Sequence, residues 1–536
     1  MKAFLAALAV GVLTLIVGAS AATSAPSREH LIVGYSHAPT AADRAAIAGV
    51  GGKVRREFAS ISALAVDLPS GKASSIRSQS GVSYVETDGV RTPLSLSGTL
   101  PTTQLVPALD NGLYGLVTTH TIEAQVAGYK GAGVTACVAD TGLDTNHPDL
   151  AFPKLVNTYD VFSDTAGLHA TDVYALHVEK TETHATHVAG IVLGADNGLG
   201  IVGVAPGAKL EHARVLKTQE DGSVSGETSE VMAGVQWLAQ HGCQVINMSL
   251  GGGDKSQAEE ALYNQIRKNG TLIVVASGND ASKKVSFPGG YQSVLTVGAV
   301  DAKNQLASFS NTGAQMDVVA PGVDNLSSFP RTEGRDAFAT VGGTTYPGLP
   351  MEFAGATPAD GITGPLVNCK LGQTAADCGT HAPGFVALIQ RGAVSFAQKV
   401  DSAMKAGAAA AIVFNNAANG PGNFNGTLGT VDDAGTPWIP AISLSQTDGE
   451  AIAQLPPGNA TAFNVAMAWN YDSGTSMATP HVTGLAALIL GKNPRLTPDQ
   501  VETIIERNTT DLGVPNYDTK FGWGLMNSEA ALAATP

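Results

Sequence analysis

Charged residues are scarce in this 536-residue chain and aromatic ones scarcer, at 14% and 6%, while 44% of residues are hydrophobic and 62 are glycine. That balance excludes a disordered or fibrous polymer and leaves enough apolar material for a large core and more than one domain. Basic residues are the shorter charged supply, 31 against 46 acidic, giving a net charge of −15 and arguing against nucleic acid as a partner. After the N-terminus no stretch reaches the roughly 18 uninterrupted apolar residues of a transmembrane helix, so no membrane association is expected once the leader is gone. Internal repeats are absent.

What is present begins with residues 1–25. Lys2, the apolar run Phe4 to Gly18 and the small residues Ala19-Ser20-Ala21 follow the order of a secretory signal peptide. The apolar run is too short for a comfortable membrane span, and an N-terminal anchor is the competing reading. The mature protein is therefore expected to be secreted. Four cysteines in an exported chain favour disulfides over metal sites. Cys369 and Cys378 close a short loop and are expected to be bridged. Cys137 and Cys243 lie on two strand-like runs, GVTACVAD and CQVINMSL, and can bridge only if those strands are neighbours.

Residues 26–92 hold eight basic against six acidic residues, a slightly basic leader on an acidic body. Within it, Leu31 to Val85 reads as strand, helix, strand, strand, helix, strand, a small α+β unit of the split βαβ type. Residues 93–110, rich in Pro, Thr and Ser, read as a linker. From Gly131 onward, the apolar runs GVTACVAD, KLEHARVL, CQVINMSL, TLIVVASGN and SVLTVGAV alternate with helical patterns such as Ala258, Leu262 and Ile266. Such alternation specifies an α/β fold with a mostly parallel sheet covered by helices. Functional groups then collect at the carboxyl ends of strands. A second unit, residues 331–465, interrupts this alternation and reads as an insertion into a larger domain, 111–330 and 466–536.

Asp140 ends a buried strand, where a carboxylate needs a partner. His184 opens the pattern His184, Val188, Ile191, whose apolar face must pack on the sheet, so its imidazole is held by rigid structure. Ser476 precedes Pro480, and proline is tolerated only near a helix start, so the serine falls at a positive helix end where its own N–H can meet a developing oxyanion. Asn279, after TLIVVASGN, offers a side-chain amide as second donor. Singly, each has a structural explanation: a turn residue, a buried histidine pair with His187, an N-cap, a strand-end turn. Together they are what nucleophilic acyl transfer requires.

The segments ADTGLDTNHPDL, HATHVAGIV, VGVAPGAKL, INMSLGGG, ASGN and GTSMATPHVTG resemble the successive signature motifs of the subtilisin family of serine proteases, in that family's chain order Asp, His, Ser. The resemblance implies a subtilisin-like three-layer sandwich and a secreted serine endopeptidase acting on protein or peptide substrates. Asp140 would orient the base, His184 act as general base, Ser476 as nucleophile and Asn279 as oxyanion donor, with Thr475 assisting. Residues 26–92 resemble the inhibitory propeptide of such enzymes, an intramolecular inhibitor cut away on maturation. Residues 331–465 resemble a protease-associated (PA) domain, a module thought to influence substrate access.

By the same resemblance, Ser249, Leu250 and Gly251 form one wall of a specificity pocket and Ala276, Ser277 and Gly278 the other, with Ser286 near its floor. None is acidic, so uncharged, mostly apolar residues are expected before the cut bond. Family topology makes the strands of Cys137 and Cys243 neighbours and implies their bridge. No cofactor is needed for the chemistry, but structural Ca2+ is implied, with Asp149 and Asn197 as ligands and Asp110 where an N-terminal ligand often lies.

Ala185 departs from the family pattern, which has glycine there, and this keeps open a catalytically impaired binding protein acting through the inserted domain. If the backbone at Ala185 is ordinary helix, its methyl does no harm. A zinc enzyme using His184 and His187 lacks HExxH and an obvious third ligand. A lipase-type hydrolase would need GxSxG, whereas Ala478 stands two residues after Ser476.

Overall fold

The computed structural model describes residues 27–95, 113–151, 153–172, 182–331, 333–419, 422–424, 426–429 and 435–536. The signal segment, most of the 93–110 linker and Asp110 lie outside the described residues. Two compact units divide between Thr87 and Asp88.

In the first unit the strands Arg28–Tyr35, Lys53–Phe58, Ala63–Pro69 and Val82–Thr87 make an antiparallel sheet. The first strand lies between the third and fourth, and the second pairs on the outer side of the third. Helices Ala41–Gly49 and Ala73–Arg77 supply Ile47 and Ile76 to a core with Val33, Leu64, Val66 and Leu68. The first helix starts where Thr40 and Asp43 cap each other's backbone N–H groups. This is the expected split βαβ unit.

The second unit is built on an eight-stranded sheet. Its strands run in the order Val318–Pro321, Leu295–Val300, Leu272–Ala276, Val245–Met248, Thr135–Asp140, Lys209–Arg214, Leu155–Asp160 and Thr165–Ala166. All neighbours are parallel except the last pair. The five apolar runs legible in the sequence are five of these strands; Leu155–Asp160 and Val318–Pro321 are shorter or more polar and carry no comparable signal. Helices His184–Leu193 and Thr475–Lys492 bury Val188, Val192, Val482 and Leu485 in the main core.

The helix Thr475–Lys492 begins one residue before Ser476, with Gly474 as N-cap at φ +154°. Pro480 therefore sits in the second turn, where its missing N–H leaves the Ser476 carbonyl without a helical donor. Ser249 Oγ donates to that carbonyl instead, at 2.8 Å. The proline thus ties the serine's backbone to the neighbouring strand end.

A second eight-stranded sheet occupies Gly334 to Met467, with helices Phe396–Lys405 and Gln446–Ala453. Its two ends are joined by a ribbon in which Asn325–Ser328 pairs antiparallel with Trp469–Asp472. Both disulfides form: Cys369–Cys378 in the insert, and Cys137–Cys243, whose Cα atoms lie 5.9 Å apart, with Cys243 leading into the strand Val245–Met248 that pairs with the strand of Cys137.

Candidate active site

Asp140 is fully buried at its strand's carboxyl end. Its Oδ1 accepts from His184 Nδ1 at 2.8 Å and from the Thr141 N–H at 2.7 Å. His184 is the first residue of its helix, and the neighbouring Ala185 N–H, an orphan donor of the first turn, donates to Thr141 Oγ1 at 3.0 Å. Glu182 accepts from the Gly142 N–H and the Arg214 guanidinium, pinning the segment ahead of the helix. Ala185 lies inside the helix and is absent from the positive-φ residues, so its methyl meets no backbone demand for glycine.

With Nδ1 turned to the carboxylate, His184 Nε2 is free to act as a base when the ring is neutral. Burial disfavours the imidazolium, but the Asp140 charge and hydrogen bond outweigh it, so the His184 pKa is raised, with Asp472 adding to the effect. Burial in turn pushes Asp472 up to about 6, although His184 draws it down. Asp472 is missed from sequence, where its only signal is a position just ahead of GTS. His187, one turn along, is a different case. Its Nε2 lies 3.0 Å from Asn325 O and 3.1 Å from Asn470 O, and burial drives its pKa down to about 3. It is a packed neutral histidine.

Ser476 Oγ donates to Ser249 O at 2.9 Å, and the buried His184 Nε2 has no hydrogen-bond partner among the described residues. The base and the hydroxyl are thus not hydrogen-bonded here. Asn279 is oriented by Thr475, whose N–H and Oγ1 both donate to Asn279 Oδ1 at 2.9 Å. That leaves Asn279 Nδ2 to donate to the carbonyl of Leu94, at 2.7 Å. The Ser476 N–H reaches the same oxygen at 3.2 Å. Two donors therefore converge on one carbonyl oxygen.

Leu94 belongs to a segment that runs through this cleft as an added strand. Val90–Pro93 lies between Val224–Glu227 and Leu250–Gly251, antiparallel to both, with Pro93 opposite Leu250 and Thr92 opposite Gly251. The Leu94 N–H donates to Ser249 O at 3.2 Å. Leu250 is buried behind Gly251, where an added Cβ would come within 2.9 Å of Leu94 Cδ1. Across the cleft, Ala276 ends its strand, the Ser277 N–H donates to Val297 O, and the Gly278 N–H donates to Thr475 Oγ1 at 3.3 Å. Gly278 has φ +113°, and a Cβ there would lie 2.1 Å from Asn311 Nδ2. Ser286 is tied to that same amide at 3.1 Å. The six residues expected as pocket walls are thus grouped beside Ser476 and Asn279.

Asp149 and Asn197, the two residues implied for a calcium ion, lie side by side in this structure. Asp149 Oδ1 accepts from Asn197 Nδ2 at 3.0 Å, and Oδ2 accepts from Ser328 Oγ at 2.9 Å and Trp469 Nε1 at 2.7 Å. Asn197 Oδ1 is taken by the Leu199 N–H. The carboxylate is thus buried among N–H and O–H donors, beside the Asn197 amide.

The model of the subtilase family matches residues 131–346 and 457–524, and that of the PA domain matches 362–452. Subtilisin E of Bacillus subtilis (strain 168) is 31% identical over 329 residues, spanning 59% of this chain and 77% of the relative. An alkaline protease of Alkalihalobacillus alcalophilus is 33% identical, spanning 54% and 67%. Among solved structures, the psychrophilic subtilisin-like protease Apa1 from the Antarctic psychrotroph Pseudoalteromonas sp. AS-11 superposes with a TM-score of 0.52 at 28% identity, covering 78% of this chain and 97% of that one. Fervidolysin from Fervidobacterium pennivorans shares the fold at 21% identity, with a TM-score of 0.61 over 95% of this chain and 62% of its own.

Proposed function

Since this chain belongs to the subtilase family and is a serine endopeptidase, we propose that it is exported as a precursor that cuts its own Leu94–Ser95 bond. Ser476 is the nucleophile, His184 the general base, Asp140 the group that orients and charges His184, and Asn279 the side-chain oxyanion donor. The observation that carries this reading is the Leu94 carbonyl, held at once by Asn279 Nδ2 at 2.7 Å and the Ser476 N–H at 3.2 Å.

The Ser476 hydroxyl turns from Ser249 O to His184 Nε2 and gives up its proton as Oγ bonds to the Leu94 carbonyl carbon. Negative charge develops on the oxygen that the two donors already face. Collapse breaks the C–N bond, and His184 returns its proton to the departing Ser95 amine. Water, deprotonated by the same imidazole, then attacks the acyl carbon, and the imidazolium returns that proton to Ser476 Oγ as the ester bond breaks, leaving Leu94 as a carboxylate. Residues 26–92 act as an intramolecular inhibitor while the segment reaching Leu94 fills the cleft. Ser249 to Gly251 and Ala276 to Gly278 wall the site of the residue before the cut.

The test is to purify wild-type and Ser476→Ala precursors separately and follow their length. Wild type shortens, hydrolyses a general protein substrate and is labelled by a serine-directed fluorophosphonate; the variant stays full length and unlabelled. A variant that matures unaided removes the self-processing claim; a wild type that neither cuts nor labels favours instead a binding protein acting through the inserted domain.

A further inference from the structure

The pocket beneath the third residue ahead of Leu94 is chemically unlike the one beneath Leu94 itself. Arg91 is 0% exposed. Its Nη2 donates to Glu259 Oε2 at 2.6 Å and its Nε to Oε1 at 3.4 Å, so the guanidinium edge meets both carboxylate oxygens. Nη1 donates to Gly252 O at 2.6 Å and Nη2 also reaches Asp254 O at 3.3 Å. Those carbonyls are presented by a loop with φ +113° at Gly252 and +68° at Gly253, and a Cβ on Gly253 would come within 2.7 Å of Nη1. The loop closes on the guanidinium because glycine permits both the backbone angles and the close approach.

Glu259 is itself 0% exposed, on a helix, Gln257–Lys268, capped by Ser256, whose Oγ accepts the Glu259 N–H. Tyr263 Oη lies 3.2 Å from Oε1 and Tyr291 Oη 2.9 Å from Oε2. The carboxylate is therefore held by groups of its own domain in addition to Arg91. A buried carboxylate deprived of its cation is costly, and the planar fork of arginine satisfies it where a single ammonium or a neutral side chain does not.

We propose that Glu259 makes this enzyme select substrates with arginine at the fourth residue before the cut bond, as Arg91 stands before Leu94–Ser95. This selectivity rests on the reading of that bond as the one cut. Glu259 is then a specificity-determining residue beyond the apolar pocket beside Ser476. Substrates are extended segments of the form Arg-x-x-Leu, added as a strand between Val224–Glu227 and Leu250–Gly251.

The experiment uses matured wild-type enzyme and internally quenched peptides spanning Val-Arg-Thr-Pro-Leu-Ser-Leu-Ser, with the arginine kept or replaced by citrulline, lysine, alanine or glutamate. Arginine is expected to exceed citrulline and alanine in kcat/KM by roughly thirtyfold or more, the lower end of what an unpaired member of a buried charge pair costs. Lysine falls between and glutamate is poorest. In Glu259→Gln the arginine-to-citrulline ratio collapses toward one. Equal rates for arginine, citrulline and alanine on an enzyme that still digests casein would overturn the inference and leave the protease reading intact. Failure to hydrolyse casein or any peptide would bring down both. If Glu259→Gln does not mature, the wild-type series alone decides; if it matures and keeps the arginine preference, Glu259 is not the selector.

Discussion

The protease part and the inserted unit each carry an eight-stranded sheet, helices packed on it and one disulfide, yet their strand ends differ. In the protease part Asp140 ends a strand and holds His184 at a helix start, while Asn279, just past another strand, and Ser476, in the first turn of a helix, converge on one carbonyl. In the insert, Asn415 follows the strand Ala408–Phe414 but spends its amide on its own loops, accepting from Arg391 and donating to Gly422 O. A sheet supplies places for functional groups; chemistry arises only where several polar groups on separate elements share a target.

Breaking the two disulfides separately should give the largest contrast. Chain-entropy reasoning allows about 5 kcal/mol for Cys137–Cys243 and about 2.5 kcal/mol for Cys369–Cys378, because their sequence separations are 106 and 9. Paired Cys→Ala variants, compared by denaturant unfolding of inhibitor-blocked protein, should lose far more stability in the first case. Equal losses would mean that loop length does not govern them. Next in size is Asn279→Ala, expected to lower kcat on the order of a hundred- to a thousandfold, as known for loss of one such donor in a subtilisin. Asn415→Ala should leave kcat/KM within about twofold, since its bonds serve only the insert. A comparable loss in both would dissolve the distinction between the two strand ends.

The smallest effect concerns pH. In the proposed mechanism neutral His184 is the active form, so activity is expected to fall as pH drops through its raised pKa. Asp472 ionises above about pH 6 and its charge helps hold the proton on His184. Asp472→Asn removes that charge, and the acid limb of the kcat/KM profile should move to lower pH with the plateau retained. A limb that stays put or moves upward would show that Asp472 does not act on His184. Linkage has the opposite sense for stability: the raised His184 pKa stabilises the fold below about pH 6.5, the ordinary histidine value, and that contribution is lost as pH rises through the raised one.

The parts legible in the sequence are those with a local signature. Strand runs such as TLIVVA, the helical spacing of Ala258, Leu262 and Ile266, the proline that limits where the Ser476 helix can begin, and the motif blocks around Asp140, His184, Asn279 and Ser476 all announce themselves within a dozen residues. The arginine pocket does not. Glu259 sits in a helix whose apolar positions, Ala258, Leu262 and Ile266, are legible, but a carboxylate beside them on the buried face looks like an ordinary surface charge until its partner, 168 residues away, is known. Arg91 likewise reads as part of a leader. The partners of Asp149 and Asn197 are hidden for a related reason. Both match by position, while the donors that occupy Asp149, Ser328 and Trp469, come from the ribbon flanking the insert.

At the centre of the proposed mechanism, Ser476 is to attack the bond whose carbonyl the two donors hold. Terminal sequencing and intact mass of the matured wild-type chain test that most directly. The predicted result is a mature N-terminus at Ser95, with a released leader ending in Leu94, and neither species from Ser476→Ala. A first cut at any other bond, with Leu94–Ser95 left whole, would contradict it.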